Sequence, residues 1–170
     1  MKHLLNGHYL KGTLLLSLAL QGCAPHALPP GSAHRLVGRQ APRFSRTATS
    51  SREVSVPAEG RTRVTIIDFW ASWCEPCQES MPVLNDFYQS YKRDGVLVIG
   101  VSVDSSEGEA DDAARRLGTD FPIVVDPGLG SAYGVSRIPL TFVIDRQGKV
   151  RWAGRDPSQA KQAALFLLNE

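Results

Sequence analysis

The stretch Val64-Thr-Ile-Ile-Asp-Phe-Trp-Ala-Ser-Trp-Cys-Glu-Pro-Cys77 decides how the rest of the chain is read. Its first half is an apolar, β-branched run of strand character that ends at two cysteines separated by two residues. Beyond them the period changes. Cys77, Met81, Leu84, Tyr88 and Tyr91 recur at steps of four, three, four and three, which is one face of a helix reaching about Arg93. The cysteine pair therefore stands where a strand hands over to a helix N-terminus. Such an end carries about half a positive charge and unpaired backbone N–H groups, and both favour a thiolate.

That placement assigns the two sulfurs different work. Cys74, at the exposed end of the helix, is expected to be the attacking thiolate. Cys77, one turn deeper, is expected to resolve the mixed disulfide. Pro76 sets φ for the first turn and lacks an N–H that would go unpaired there. Glu75 places a negative charge beside the thiolate and opposes the helix terminus. Asp68 shares a strand face with Val64 and Ile66, so an acid points where aliphatic side chains point. A buried carboxyl has a raised pKa, suited to moving protons during thiol exchange, and Asp68 is read in that role.

Two other uses of a Cys-X-X-Cys pair fit less well. Half a zinc site needs two more ligands, but the only other cysteine is Cys23 and the histidines, His3, His8, His26 and His34, all precede the domain. A purely structural disulfide restrains the unfolded chain little when its loop is this short. No metal is expected, and no cofactor beyond the redox disulfide itself.

Further out, Lys2 and Lys11 flank an apolar core, Thr13 to Leu20, that is shorter than the ~20 residues a membrane span needs. Residues 1–22 read as an export signal, followed by Cys23. Residues 23–35 contain the Pro, Ala, Gly and Ser-rich run Ala24 to Ala33 and read as a flexible tether. The domain is placed at residues 36–170. The whole chain's hydrophobic content of 42% and net charge of +2 fit one soluble domain and give no nucleic-acid surface. Strands are expected at Glu53 to Val56, Val64 to Phe69, Val96 to Val103, Phe121 to Val125 and Leu140 to Ile144, with a last one at Lys149 to Ala153 after a turn at Asp145 to Gly148. Helices are expected at Glu107 to Leu117 and Ser158 to Leu168, with a helical turn at Gly128 to Tyr133 and a kink at Pro82. The order predicts a mixed α/β sheet with helices on both faces.

At these residues the chain resembles the thioredoxin superfamily, and within it the exported TlpA/ResA group. The likeness runs from Leu36-Val-Gly-Arg-Gln-Ala-Pro-Arg-Phe44 through Asp68-Phe-Trp-Ala-Ser-Trp-Cys-Glu-Pro-Cys77 and Met81-Pro82 to Val135-Ser-Arg-Ile-Pro139. It implies a thioredoxin fold with a strand and helix inserted within Ser102 to Phe121. It implies a cis peptide at Ile138-Pro139 beside the cysteines. Trp73, Ile138 and Pro139 would then contact a bound polypeptide, with the backbone of Ile138 free to pair with it. Three positions depart from the group: Asp68 stands where asparagine is common, Ser80 where glutamate is common, and Leu140 where threonine commonly follows the proline. Glu79, one place earlier, is rotated by about 100° and does not inherit the glutamate's role.

The tetrapeptide ending in Cys23 is similar to a bacterial lipobox, with Cys23 the lipidated residue; Gln21 fits that pattern less well. Together these readings predict a monomeric thiol-disulfide oxidoreductase in the bacterial envelope, facing the periplasm and held by a lipid anchor. Ala24, where an aspartate would mark retention, points toward the outer membrane. The resemblance implies a reductant whose clients are apocytochromes c or copper-oxidase assembly factors, recharged by a membrane thiol reductase. A copper-binding assembly chaperone using both thiols is the competing reading, and it lacks the late histidine of Sco-type proteins. A thiol peroxidase lacks its Pro-X-X-X-Thr-X-X-Cys context.

Overall fold

Strand β3 (Val64–Trp70) is buried at all seven positions, so both of its faces must be covered and both of its edges paired. In the computed structural model, which describes residues 27–170, it runs parallel to β4 (Val96–Ser102) and antiparallel to β6 (Leu140–Asp145). Strand β5 (Ile123–Val125) extends the sheet beyond β4, and β7 (Val150–Gly154) extends it beyond β6, giving the order β5-β4-β3-β6-β7. The β6-β7 turn is the expected one. Gly148 takes φ +81°, and Asp145 Oδ1 accepts from the N–H groups of Gln147 and Lys149.

Helices α1 (Glu75–Tyr91), α2 (Glu107–Arg116) and α4 (Pro157–Leu168) pack their apolar sides on one face, against Ile66, Trp70, Val98 and Val143. Helix α3 (Pro127–Tyr133) and the hairpin β1 (Phe44–Thr47) and β2 (Glu53–Val56) cover the other, over Ile67, Phe69, Ile99 and Phe142. Each aliphatic side chain buried this way contributes about 1.5–3 kcal/mol. The result is the thioredoxin-like α/β fold that the sequence predicts.

Three differences have physical reasons. Strand β1 was not expected, because three of its four residues are exposed and it exists only by pairing with β2. The inserted strand falls at Ile123–Val125, after Phe121, because Gly118 at φ +65° and the residues after it form the link from α2. Residues 28–35 are not a free tether. Leu28 packs against the core, Trp152 Nε1 donates to the Pro30 carbonyl, and Ser32 donates through both N–H (2.7 Å) and Oγ (3.0 Å) to Ala153. Farther on, Gly38 N–H donates to Val150 and Val150 N–H to Arg39. This segment satisfies the outer edge of β7, which would otherwise present unpaired backbone groups. Gly31 is required there, since a Cβ would lie 2.8 Å from the Ala153 oxygen. The expected lipidation residue Cys23 and the export signal lie outside the described residues. Among the described residues no helix is long and apolar enough to cross a membrane.

Candidate active site

Strand β3 stops at Trp70, and Ala71 to Trp73 turn the chain so that Cys74 becomes the N-cap of α1, with extended φ −91° and ψ 98°. The Cys74 carbonyl accepts from the N–H of Cys77 (3.0 Å) and Gln78 (3.1 Å), which starts the helix, and Pro76 occupies the first turn. Cys74 and Cys77 are joined as a disulfide, their Cα atoms 5.2 Å apart. Cys77 is fully buried. Cys74 is 6% exposed and lines a groove of about 600 Å³. Trp73, 69% exposed, and the exposed Glu75 and Pro76 share its wall with Cys74; Val103, Val135 and Ile138 contribute apolar surface around it.

The Ile138-Pro139 peptide is cis, and Ile138 lines the same groove as Cys74. The sequence reading expected the backbone of Ile138 to be free to pair with a polypeptide, but its carbonyl is already engaged. Arg155 Nη2, from the β7-α4 turn, donates to it at 2.9 Å. Nothing in the sequence around Arg155 signals that contact.

Asp68 sits at the centre of the sheet with no solvent exposure, on the face that carries Cys77 in its apolar cluster. Its Oδ1 accepts from Thr141 Oγ1 at 2.7 Å across the β3-β6 register, and its Oδ2 has no partner. Burial pushes its pKa up to about 7, with the Thr141 hydrogen bond working against that rise. Glu79 points to solvent, and Ser80 is buried with its hydroxyl donated to the Cys77 carbonyl. No other carboxylate takes the place of the missing glutamate on this helix face.

A second buried acid was missed by the sequence reading. Asp104, just past β4, accepts from Ser72 N–H (2.9 Å), Ser72 Oγ (2.8 Å) and Ser102 Oγ (2.6 Å). The signal available for it was weak: an acid directly after the apolar run Val96 to Val103. Among the described residues no three of His, Cys, Asp and Glu gather as a metal site, and His34 packs edge-on against Phe142.

Residues 37–153 match the model of the AhpC/TSA family. Among curated relatives, the thiol-disulfide oxidoreductase ResA of Geobacillus thermodenitrificans is 37% identical over 117 residues, 68% of this chain and 67% of that protein. ResA of Bacillus subtilis is 30% identical over 81% of this chain and 77% of its own length. Among solved structures, one described as a thiol:disulfide interchange protein DsbE from Chlorobium tepidum superposes with a TM-score of 0.69 at 33% identity, covering 78% of this chain and 97% of that one. StoA from Bacillus subtilis gives 0.64 at 27% identity, over 76% and 97%. The cysteine pair at a helix N-terminus, the cis-proline groove beside it and these likenesses agree: the chain belongs to the AhpC/TSA family, and within it to the thioredoxin-like thiol-disulfide oxidoreductases.

Proposed function

We propose that this oxidoreductase acts through Cys74-Glu75-Pro76-Cys77 as a lipid-anchored reductant in the bacterial envelope, exchanging disulfides with client proteins laid in the groove beside Pro139. The observation that carries this reading is the asymmetry of the pair: Cys74 opens on the groove, while Cys77 is sealed beneath it on the face that holds Asp68. In the reduced protein the Cys74 thiolate attacks one sulfur of a client disulfide. A Cys74-client bond forms, the client S–S bond breaks, and the second client sulfur leaves as a thiolate that takes a proton from water. Cys77 then gives its proton to Asp68 and attacks Cys74 Sγ, releasing the first client thiolate and forming the Cys74–Cys77 disulfide. Two electrons have passed to the client. A membrane thiol reductase restores them.

Asp68 serves as proton acceptor because a carboxyl with a pKa near 7 is divided between its two forms at envelope pH. Trp73 and the cis-proline turn supply the apolar surface against which a client strand rests. The clients are apocytochromes c or copper-oxidase assembly proteins, as the resemblance implies, and Cys23 carries the anchor, in the outer membrane.

The test is trapping in cells. Cys77→Ser should hold its client as a mixed disulfide on Cys74 that releases on reduction, and Cys74→Ser should hold none and lose turnover. Normal turnover by Cys74→Ser would remove the nucleophile assignment. A Cu(I) complex on both thiols, with no trapped protein, would return the chain to the copper-chaperone reading.

A further inference from the structure

Ser72 stands two residues before Cys74, and each of its polar groups is held. Its N–H donates to Asp104 Oδ2 at 2.9 Å and its hydroxyl to Oδ1 at 2.8 Å, while its carbonyl accepts from Gln78 Nε2 at 2.6 Å. Asp104 is 2% exposed. Its Oδ2 also accepts from Ser102 Oγ, and that oxygen in turn accepts from the Asp104 N–H at 2.9 Å. Beside this network Val103 N–H donates to the Trp70 carbonyl at 2.9 Å. The turn between β3 and α1 is thus fastened on one side to the end of β4 and on the other to the first turns of α1.

The arrangement has a use in the redox cycle. Cys74 is an N-cap with no side-chain cap hydrogen bond, so its own side chain does not anchor the helix start. When the Cys74–Cys77 bond opens, the covalent restraint on that sulfur disappears. The stabilisation a thiolate draws from a helix terminus falls off within one turn, so the sulfur keeps it only if the turn stays where it is. We infer that Asp104 is a positioning residue for thiol-disulfide exchange: through Ser72 it holds the turn that carries Trp73 and Cys74, keeping the Cys74 sulfur at the helix N-terminus and on the groove in the reduced state. This rests on Cys74 being the attacking thiolate.

The chemistry of the contact says which substitutions it tolerates. Asparagine at 104 can keep one oxygen on the Ser72 N–H and turn its amide toward the Ser72 hydroxyl, which can accept. Alanine can do neither. Threonine at 72 keeps the hydroxyl, and alanine removes it.

The experiment follows a single turnover of the reduced full chain with an excess of a short peptide carrying a glutathione mixed disulfide, the limiting rate serving as kcat and the half-saturating concentration as KM, and iodoacetamide alkylation of Cys74 as a function of pH. Ser72→Ala should lower kcat about fivefold, the value of one hydrogen bond, with KM unchanged. Its alkylation midpoint should move to higher pH, because a displaced thiolate loses the helix terminus. Ser72→Thr should restore both. Asp104→Ala should lower kcat about a hundredfold, as a misplacement near 1 Å does, and Asp104→Asn should recover most of it. Wild-type kcat and midpoint in Ser72→Ala would overturn the inference. A lowered melting temperature with an unmoved midpoint in Ser72→Ala and Asp104→Ala would also overturn it, since that is a merely structural role. Should Asp104→Ala fail to fold, the serine pair still decides. If the wild-type protein itself does not exchange with the peptide, the Cys74 assignment fails and the inference falls with it, an outcome distinct from a failure confined to the variants.

Discussion

Asp68 and Asp104 are both buried acids, one within β3 and the other just past the end of neighbouring β4, and their surroundings make them different. Asp104 lies where β4 ends, and three donors from Ser72 and Ser102 converge on its two oxygens. Asp68 lies in mid-strand with one donor, Thr141, and one oxygen without a partner. A carboxyl whose oxygens are all engaged is a fastener. One that is desolvated and half-engaged is poised to take up a proton, and its pKa near 7 follows from burial. The lesson is that burial alone does not tell two acids apart; the count of donors around each does.

The largest effect that sharpens this contrast is the pH dependence of stability. The folded pKa of Asp68 is raised from 3.8 to about 7, so between those values the native state holds a proton that the unfolded chain has lost. Its contribution therefore favours the fold at low pH and is lost as pH rises toward 7, on the order of 4 kcal/mol across the window. Asp68→Asn should remove this slope, so that denaturant unfolding at pH 4 and pH 8 shows the variant gaining on wild type as pH rises. A variant that tracks wild type at both values would break the distinction between the two acids. The same substitution should slow release of the Cys74-client disulfide about a hundredfold and abolish the rise of that step near pH 7, read by stopped-flow.

Asp104→Ala is next. It strands two hydroxyls and one backbone N–H, and chemical denaturation at pH 7 should show a loss of about 3 kcal/mol. A loss below about 0.5 kcal/mol, the level of an ordinary surface substitution, would mean that water replaces the fastener freely. The smallest effect is that of Thr141→Val, which keeps the shape and removes the one donor to Asp68. It should cost about 1 kcal/mol and move the Asp68 titration upward by less than about one unit, followed by the pH dependence of the release step. A downward movement would show that the Thr141 hydroxyl does not favour the charged form.

Much of the site is legible in the chain before any contact is known. The change of period at Cys74 and Cys77, the Pro76 at a helix start and the parity that turns Asp68 inward are local features, and the structure has each of them. Segment bounds are less legible. Residues 28–35 have the composition of a linker and yet lie along β7, because an exposed strand edge recruits whatever backbone is near it. The cis peptide at Ile138 follows from the resemblance, whereas the Arg155 guanidinium on its carbonyl does not.

By itself, then, the sequence determined the class of chemistry, because a dithiol needs only two cysteines one helical turn apart, and a strand followed by a helix specifies where they stand. The tertiary structure alone decided how each acid is held. Thr141 reaches Asp68 from 73 positions away and Asp104 reaches Ser72 from 32, and those meetings depend on strand register and loop paths rather than on any local preference. Hydrogen-bond satisfaction is a property of the assembled interior, so the difference between a half-engaged acid and a fully engaged one appears only when the sheet is built.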